Sequence, residues 1–128
     1  MKVLIVEDNV TMASALKYML QQLGFANVVE VDDGADALSQ LRQNRFDLVL
    51  LDWMLPSLSG VAISKWMRSN EVYHACPVIM VTVKDRYEDV LLAIESGVNE
   101  YVLKPLDRRT LQAKVESVLP GSTSRRAA

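Results

Sequence analysis

The sequence is short of every residue that staples or anchors a small protein. Its 128 residues include one cysteine, Cys76, and one histidine, His74. One thiol makes no internal disulfide, and one thiol with one imidazole makes no standard zinc site. A lone thiol suits a reducing compartment, so a cytoplasmic location is expected. Long apolar stretches are missing, the longest being about six residues against the roughly 20 of a membrane span. Only four apolar residues stand between Lys2 and Glu7, so neither a signal peptide nor a membrane contact is expected.

Excess positive charge is missing too. Fourteen Lys and Arg face 16 Asp and Glu, a net charge of −2, which becomes −4 once Arg125 and Arg126 of the polar C-terminal stretch are set aside. A mildly acidic body is a poor match for a phosphate backbone, so no direct nucleic-acid binding is expected.

What the chain has is apolar residues in short blocks. Hydrophobic residues make up 50% of it, enough for one well-filled domain that buries roughly two thirds of the surface of its unfolded form. The blocks are Val3 to Val6, Val28 to Val31, Leu48 to Leu51, Val78 to Val83 and Tyr101 to Leu103. Most are continuous rather than alternating, the pattern of strands covered on both faces of a parallel sheet. They start 20 to 30 residues apart, the length of a βα unit.

The segments between them carry helical spacing. Ala13, Leu16, Leu20 and Leu23 share one stripe before Gly24, a C-terminal stop. Asp33 can cap a helix that turns Ala37, Leu38 and Leu41 inward. Ser59 and Gly60 open another, running to about Arg68; Asp85 or Arg86 opens a fourth, ended by Gly97. Asp107 caps the last, with Leu111, Val115 and Val118 on one face. The pattern predicts an α/β fold of five βα units, helices on both faces of one doubly wound parallel sheet. Residues 1–119 are expected to form one domain and 120–128 a disordered tail or linker.

In such sheets ligands bind beyond the carboxyl ends of the strands. Glu7 and Asp8 follow the first run, Asp52 the third, Thr82 closes the fourth, and Lys104 with Pro105 follows the fifth. Any one of these reads most simply as a turn former or cap. Three carboxylates on one edge repel one another unless a cation relieves them. A hard divalent ion such as Mg²⁺ takes carboxylates, water and phosphate oxygens, so the cluster predicts a metal with phosphate as co-ligand.

These residues carry a resemblance. Val3-Leu4-Ile5-Val6-Glu7-Asp8-Asn9, Leu51-Asp52-Trp53-Met54-Leu55-Pro56 with Gly60, Val81-Thr82, and Tyr101-Val102-Leu103-Lys104-Pro105 resemble, in this order and spacing, a response-regulator receiver domain of two-component signalling, over residues 2–119. The resemblance implies a chemotaxis-regulator-like (βα)5 flavodoxin-like sheet in strand order 2-1-3-4-5. It implies that Asp52 is the phosphoacceptor and that Thr82 and Lys104 are the catalytic partners of the phosphoryl group. It further implies that Asp8, Asp52 and the backbone carbonyl of Met54 hold Mg²⁺, with Glu7 acting through a water. Thr82 and Tyr101 become the switch pair, reshaping the surface of the last two helices and the strand between them. The bond before Pro105 is expected to be cis. Partners would be a sensor histidine kinase or phosphotransfer protein upstream, and a protein target or fused output domain downstream. His74, in a loop, reads as a surface residue. The protein is expected to be no metabolic enzyme, catalysing only its own phosphotransfer and slow dephosphorylation.

Three positions depart from common family usage. Met54 stands where Asn is frequent, Val83 where Ala or Gly is, and Lys84 where an acid is. All three border the path of the hydrolytic water, so a long-lived phosphoryl group is expected. Rival readings fare worse. A dehalogenase-type phosphatase wants an Asp where Met54 stands, and an FMN binder would place its phosphate against Glu7 and Asp8. Within the family, the alternative is a receiver excised from a longer regulator with a DNA-binding output domain. Asn99, Glu100 and Thr110 match only in part the charged pairs of receivers that dimerise, so a monomer is expected, with a dimer on activation left open.

Overall fold

A computed structural model describes residues 1–119; the expected tail, 120–128, lies outside the described residues. The elements run β1 (Lys2–Val6), α1 (Val10–Gln22), β2 (Asn27–Val31), α2 (Gly34–Gln43), β3 (Leu48–Leu51), α3 (Gly60–Arg68), β4 (Val78–Thr82), α4 (Tyr87–Glu95), β5 (Glu100–Leu103) and α5 (Arg108–Val118). The strands form one parallel sheet in the order β2-β1-β3-β4-β5. This is the doubly wound arrangement that the apolar blocks predict.

The continuous apolar runs divide between two cores because successive side chains on a strand point to opposite faces. Leu4, Val6, Val49, Leu51, Val78 and Met80 face Ala37 and Leu41 of α2, Ile63 and Met67 of α3, and Ala93 of α4. Val3, Ile5, Leu48, Leu50, Ile79 and Val81 face Leu16 and Leu20 of α1 and Leu111 and Val115 of α5. Pairing Val3 with Leu48 and Leu51 with Met80 keeps the two sets in register across the central strands.

Four helices start on side-chain caps that satisfy their free N–H groups. Asn9 accepts from Met12 N, Asp33 from Ala35 N and Asp36 N, Ser59 from Ala62 N, and Asp107 from Thr110 N. The fourth helix differs: it starts after Arg86 with no side-chain cap, and Asp85 falls one residue too early to supply one. Gly24 and Gly97 take positive φ just beyond α1 and α4, as the stop signals predict. No helix among the described residues is long and apolar enough to cross a membrane.

At the amino end of the sheet, Arg68 fastens three segments. Its guanidinium donates to the carbonyls of Tyr73 (3.0 Å), Cys76 (2.8 Å) and Gly97 (2.7 Å), and to Asn99 Oδ1 (2.8 Å). Beside it the Ser64 hydroxyl donates to Ser96 O at 2.8 Å. The end of α4 is thereby tied to α3.

Candidate functional site

The carboxyl edge of the sheet brings together residues up to 97 positions apart. Hydrogen bonding continues one residue past β1, where Glu7 N donates to Val31 O at 3.0 Å. This leaves the Glu7 carboxylate 2% exposed, while Asp8 next to it is exposed. Asp52 N donates to Val6 O at 3.0 Å, which sets Asp52 beside β1, where it is 7% exposed. One oxygen each from Glu7, Asp8 and Asp52 lie within 4.8 Å of one another.

Lys104 reaches this cluster from the end of β5, where its N–H donates to Thr82 O at 2.9 Å. Its ammonium donates to Asp52 Oδ2 at 2.8 Å and pairs with Glu7 Oε1. Beyond that ion pair, Glu7 Oε1 has no hydrogen-bond partner among the described residues. The other oxygen of Glu7 accepts from Asn9 N at 3.1 Å. Burial pushes the Glu7 pKa up, against the pull of Lys104 and Asn9. Burial alone would lower the Lys104 pKa, but its bonds to Asp52 and Glu7 outweigh this and raise it, so the ammonium stays charged. The Lys104–Pro105 peptide bond is cis.

The remaining sequence-predicted residues stand around the mouth. Thr82 is fully buried, and among the described residues its Oγ1 accepts from Lys84 N alone, at 3.4 Å. Its hydroxyl makes no hydrogen bond to Asp52 or Lys104. The Tyr101 hydroxyl donates to Lys84 O at 2.7 Å, tying β5 to the loop after β4. Burial pushes the Tyr101 phenol up to about 12, so it remains a donor. The Lys84 ammonium lies over the Trp53 ring, 5.0 Å from its centroid, a cation–π contact. Met54 and Val83 are 53% and 58% exposed. His74 is exposed, as expected of a surface residue.

Sequence reasoning did not find what holds the loop after Asp52. Gly60 N donates to Trp53 O at 2.8 Å, and a Cβ on Gly60 would collide with the Asp52 carbonyl. On the other flank Gly34 N donates to Pro56 O at 3.0 Å, and Gly34 leaves room for the Leu58 carbonyl. The Pro56-Ser57 turn was a visible signal for a bend; its attachment to α2 was not.

An all-oxygen donor set, two members of it buried, suits a hard divalent cation and no soft one. Three carboxylates against one ammonium leave an excess of negative charge that such an ion would relieve. An Asp at the end of a parallel strand, with a lysine ammonium bonded to it, is also a carboxylate placed as a nucleophile.

These features are those of the response regulator receiver domain, whose family model matches residues 3–116. The chain belongs to this receiver family of two-component signalling. It is 38% identical over 118 residues to the chemotaxis protein CheY of Pseudomonas aeruginosa, covering 92% of this chain and 95% of that protein. It is 39% identical over 118 residues to CheY-3 of Vibrio cholerae, covering 92% and 91%. Among solved structures it resembles the receiver domain of a sensor histidine kinase of Pseudomonas aeruginosa, with a TM-score of 0.83, 31% identity and coverage of 91% and 95%. That domain was solved with a magnesium ion coordinated in its active site cleft. Members of this family are signalling modules rather than metabolic enzymes.

Proposed function

We propose that this protein is a phosphorylatable switch, with Asp52 as its phosphoacceptor. The observation that carries the reading is the Lys104 ammonium bound to both Asp52 and Glu7, with Asp8 in the same cluster. The donor is a phosphohistidine of a sensor histidine kinase or phosphotransfer protein in the cytoplasm. An Asp52 carboxylate oxygen attacks phosphorus, the P–N bond breaks, and the imidazole leaves with a proton from solvent. Asp8, Asp52 and the Met54 carbonyl would hold Mg²⁺, with Glu7 acting through a water; when bound, the ion would supply charge neutralisation at the transferring phosphoryl oxygens. Lys104, bonded to Asp52, neutralises a second oxygen; the Thr82 hydroxyl donates to a third.

The output is a population shift. When Thr82 turns its hydroxyl to the phosphoryl group it leaves Lys84 N, and the Lys84–Tyr101 bond carries the change to the α4-β5-α5 surface. A downstream protein target reads that surface. Met54, Val83 and Lys84 slow hydrolysis by crowding the water's approach.

Incubation with acetyl phosphate and Mg²⁺, followed by intact-mass measurement, tests the reading. The expected result is one added phosphoryl group in the wild type and none in Asp52→Ala. An addition that survives in Asp52→Ala overturns it. In the same assay Met54→Asn should lose the group faster; equal decay removes the lifetime assignment alone.

A further inference from the structure

The β3–α3 loop makes a turn that needs outside support. Ser57 has φ of +63°, a left-handed conformation that is costly for a residue with a Cβ. Such outliers persist where the surroundings over-determine them. Here the support comes from the start of α2. The Ser57 hydroxyl donates to Asp33 Oδ1 at 2.7 Å and accepts from Ala35 N at 3.2 Å. The same Asp33 oxygen accepts from Ala35 N at 2.7 Å and Asp36 N at 3.3 Å as the helix cap. The bond to Ser57 also holds the Asp33 carboxyl below the usual range. With Gly34 N on Pro56 O, the outer turn is pinned at two points. Met54, whose carbonyl is assigned to the metal, lies three residues before Ser57.

We propose that Asp33 is a positioning residue for the phosphoacceptor loop, acting through Ser57. One carboxylate both starts α2 and latches the loop that presents the Met54 carbonyl and Asp52 to the cation. A cap alone would leave Ser57 free to relax to negative φ; the latch makes the left-handed turn the stable one. The inference rests on the Mg²⁺ reading above.

Ser57→Gly separates the latch from the cap. Glycine suits the positive φ and removes the hydroxyl, while Asp33 keeps its bonds to Ala35 and Asp36. Mg²⁺ titrations, followed by Trp53 emission in a Trp66→Phe background, should show affinity about tenfold weaker, the low end of what outer partners of a metal site confer. Amide exchange over residues 53–58 of the metal-free protein should quicken, while the urea midpoint holds or rises. Ser57→Asn, which tolerates positive φ and can donate to Asp33, should recover the affinity. Wild-type Mg²⁺ affinity and unchanged exchange in Ser57→Gly overturn the latch. Asp8→Ala distinguishes this from failure of the metal reading. If Asp8→Ala binds Mg²⁺ as the wild type does, the metal reading falls and the inference with it. If Asp8→Ala is impaired and Ser57→Gly is not, the latch alone falls.

Discussion

The two walls of the acidic site are built to different standards. The wall after β3, residues 52–59, is fastened on both sides: by Gly60 N on Trp53 O, by Gly34 N on Pro56 O, and by Ser57 on Asp33. The wall after β4, residues 83–86, hangs on the Tyr101 hydroxyl, a long Lys84–Thr82 bond and the Lys84–Trp53 contact. It leads into a helix with no side-chain cap, of which only Ala93 is buried. The same helix is firmly tied at its far end, through Ser64 and Arg68. Fewer native contacts mean a lower free energy of local opening. The wall after β3 is therefore the harder of the two to open locally, and the wall after β4 the easier.

Three substitutions put this contrast at risk. The largest effect belongs to the fixed wall. Gly60→Ala drives a methyl group into the Asp52 carbonyl, and a backbone neighbour yields little, so a loss of about 3 kcal/mol is expected from urea denaturation. A change under about 1 kcal/mol would mean that the wall gives way more easily than its contacts imply.

Next comes the tied end of α4. Arg68→Ala leaves the carbonyls of Cys76 and Gly97 without their donor and Tyr73 O with the Cys76 N–H alone, and about 2 kcal/mol should be lost. Cys76 reports on the same place, since burial pushes its thiol up to about 11. The folded chain holds this proton more tightly than the unfolded chain. The stability this confers is whole below the ordinary thiol range and fades as pH climbs toward 11. Alkylation at pH 8 should be slow in the wild type and quicker in Arg68→Ala; equal rates would argue that Arg68 is not what closes this end.

The smallest effect tests the loose wall. Arg86→Ser supplies the missing cap and should add about 1 kcal/mol, with slower amide exchange over residues 83–90. No gain would show that this helix start is already satisfied, and the contrast between the walls would weaken.

Local and periodic features of the fold could be read from the chain. Two-sided burial makes Leu48 to Leu51 continuous, and caps such as Asp33, Ser59 and Asp107 announce helices within three residues. The acids were visible because strand ends are predictable and like charges must be compensated. What escaped lies in side chains that meet across long stretches of sequence. Ser57 finds Asp33 over 24 residues, and Arg68 finds Gly97 over 29. No periodicity encodes such pairs. The bare start of α4 was hidden for a different reason: Asp85 looks like a cap but stands one residue out of place.

Lys104 has one more consequence. Its ammonium is bonded into the chain, so the buried pair of Asp52 and Glu7 carries a counter-ion that dialysis cannot remove. Many small metallo-domains depend on their metal to fold. Here the ammonium offsets part of the buried negative charge from within the chain, so less of that compensation is left to a dissociable ion.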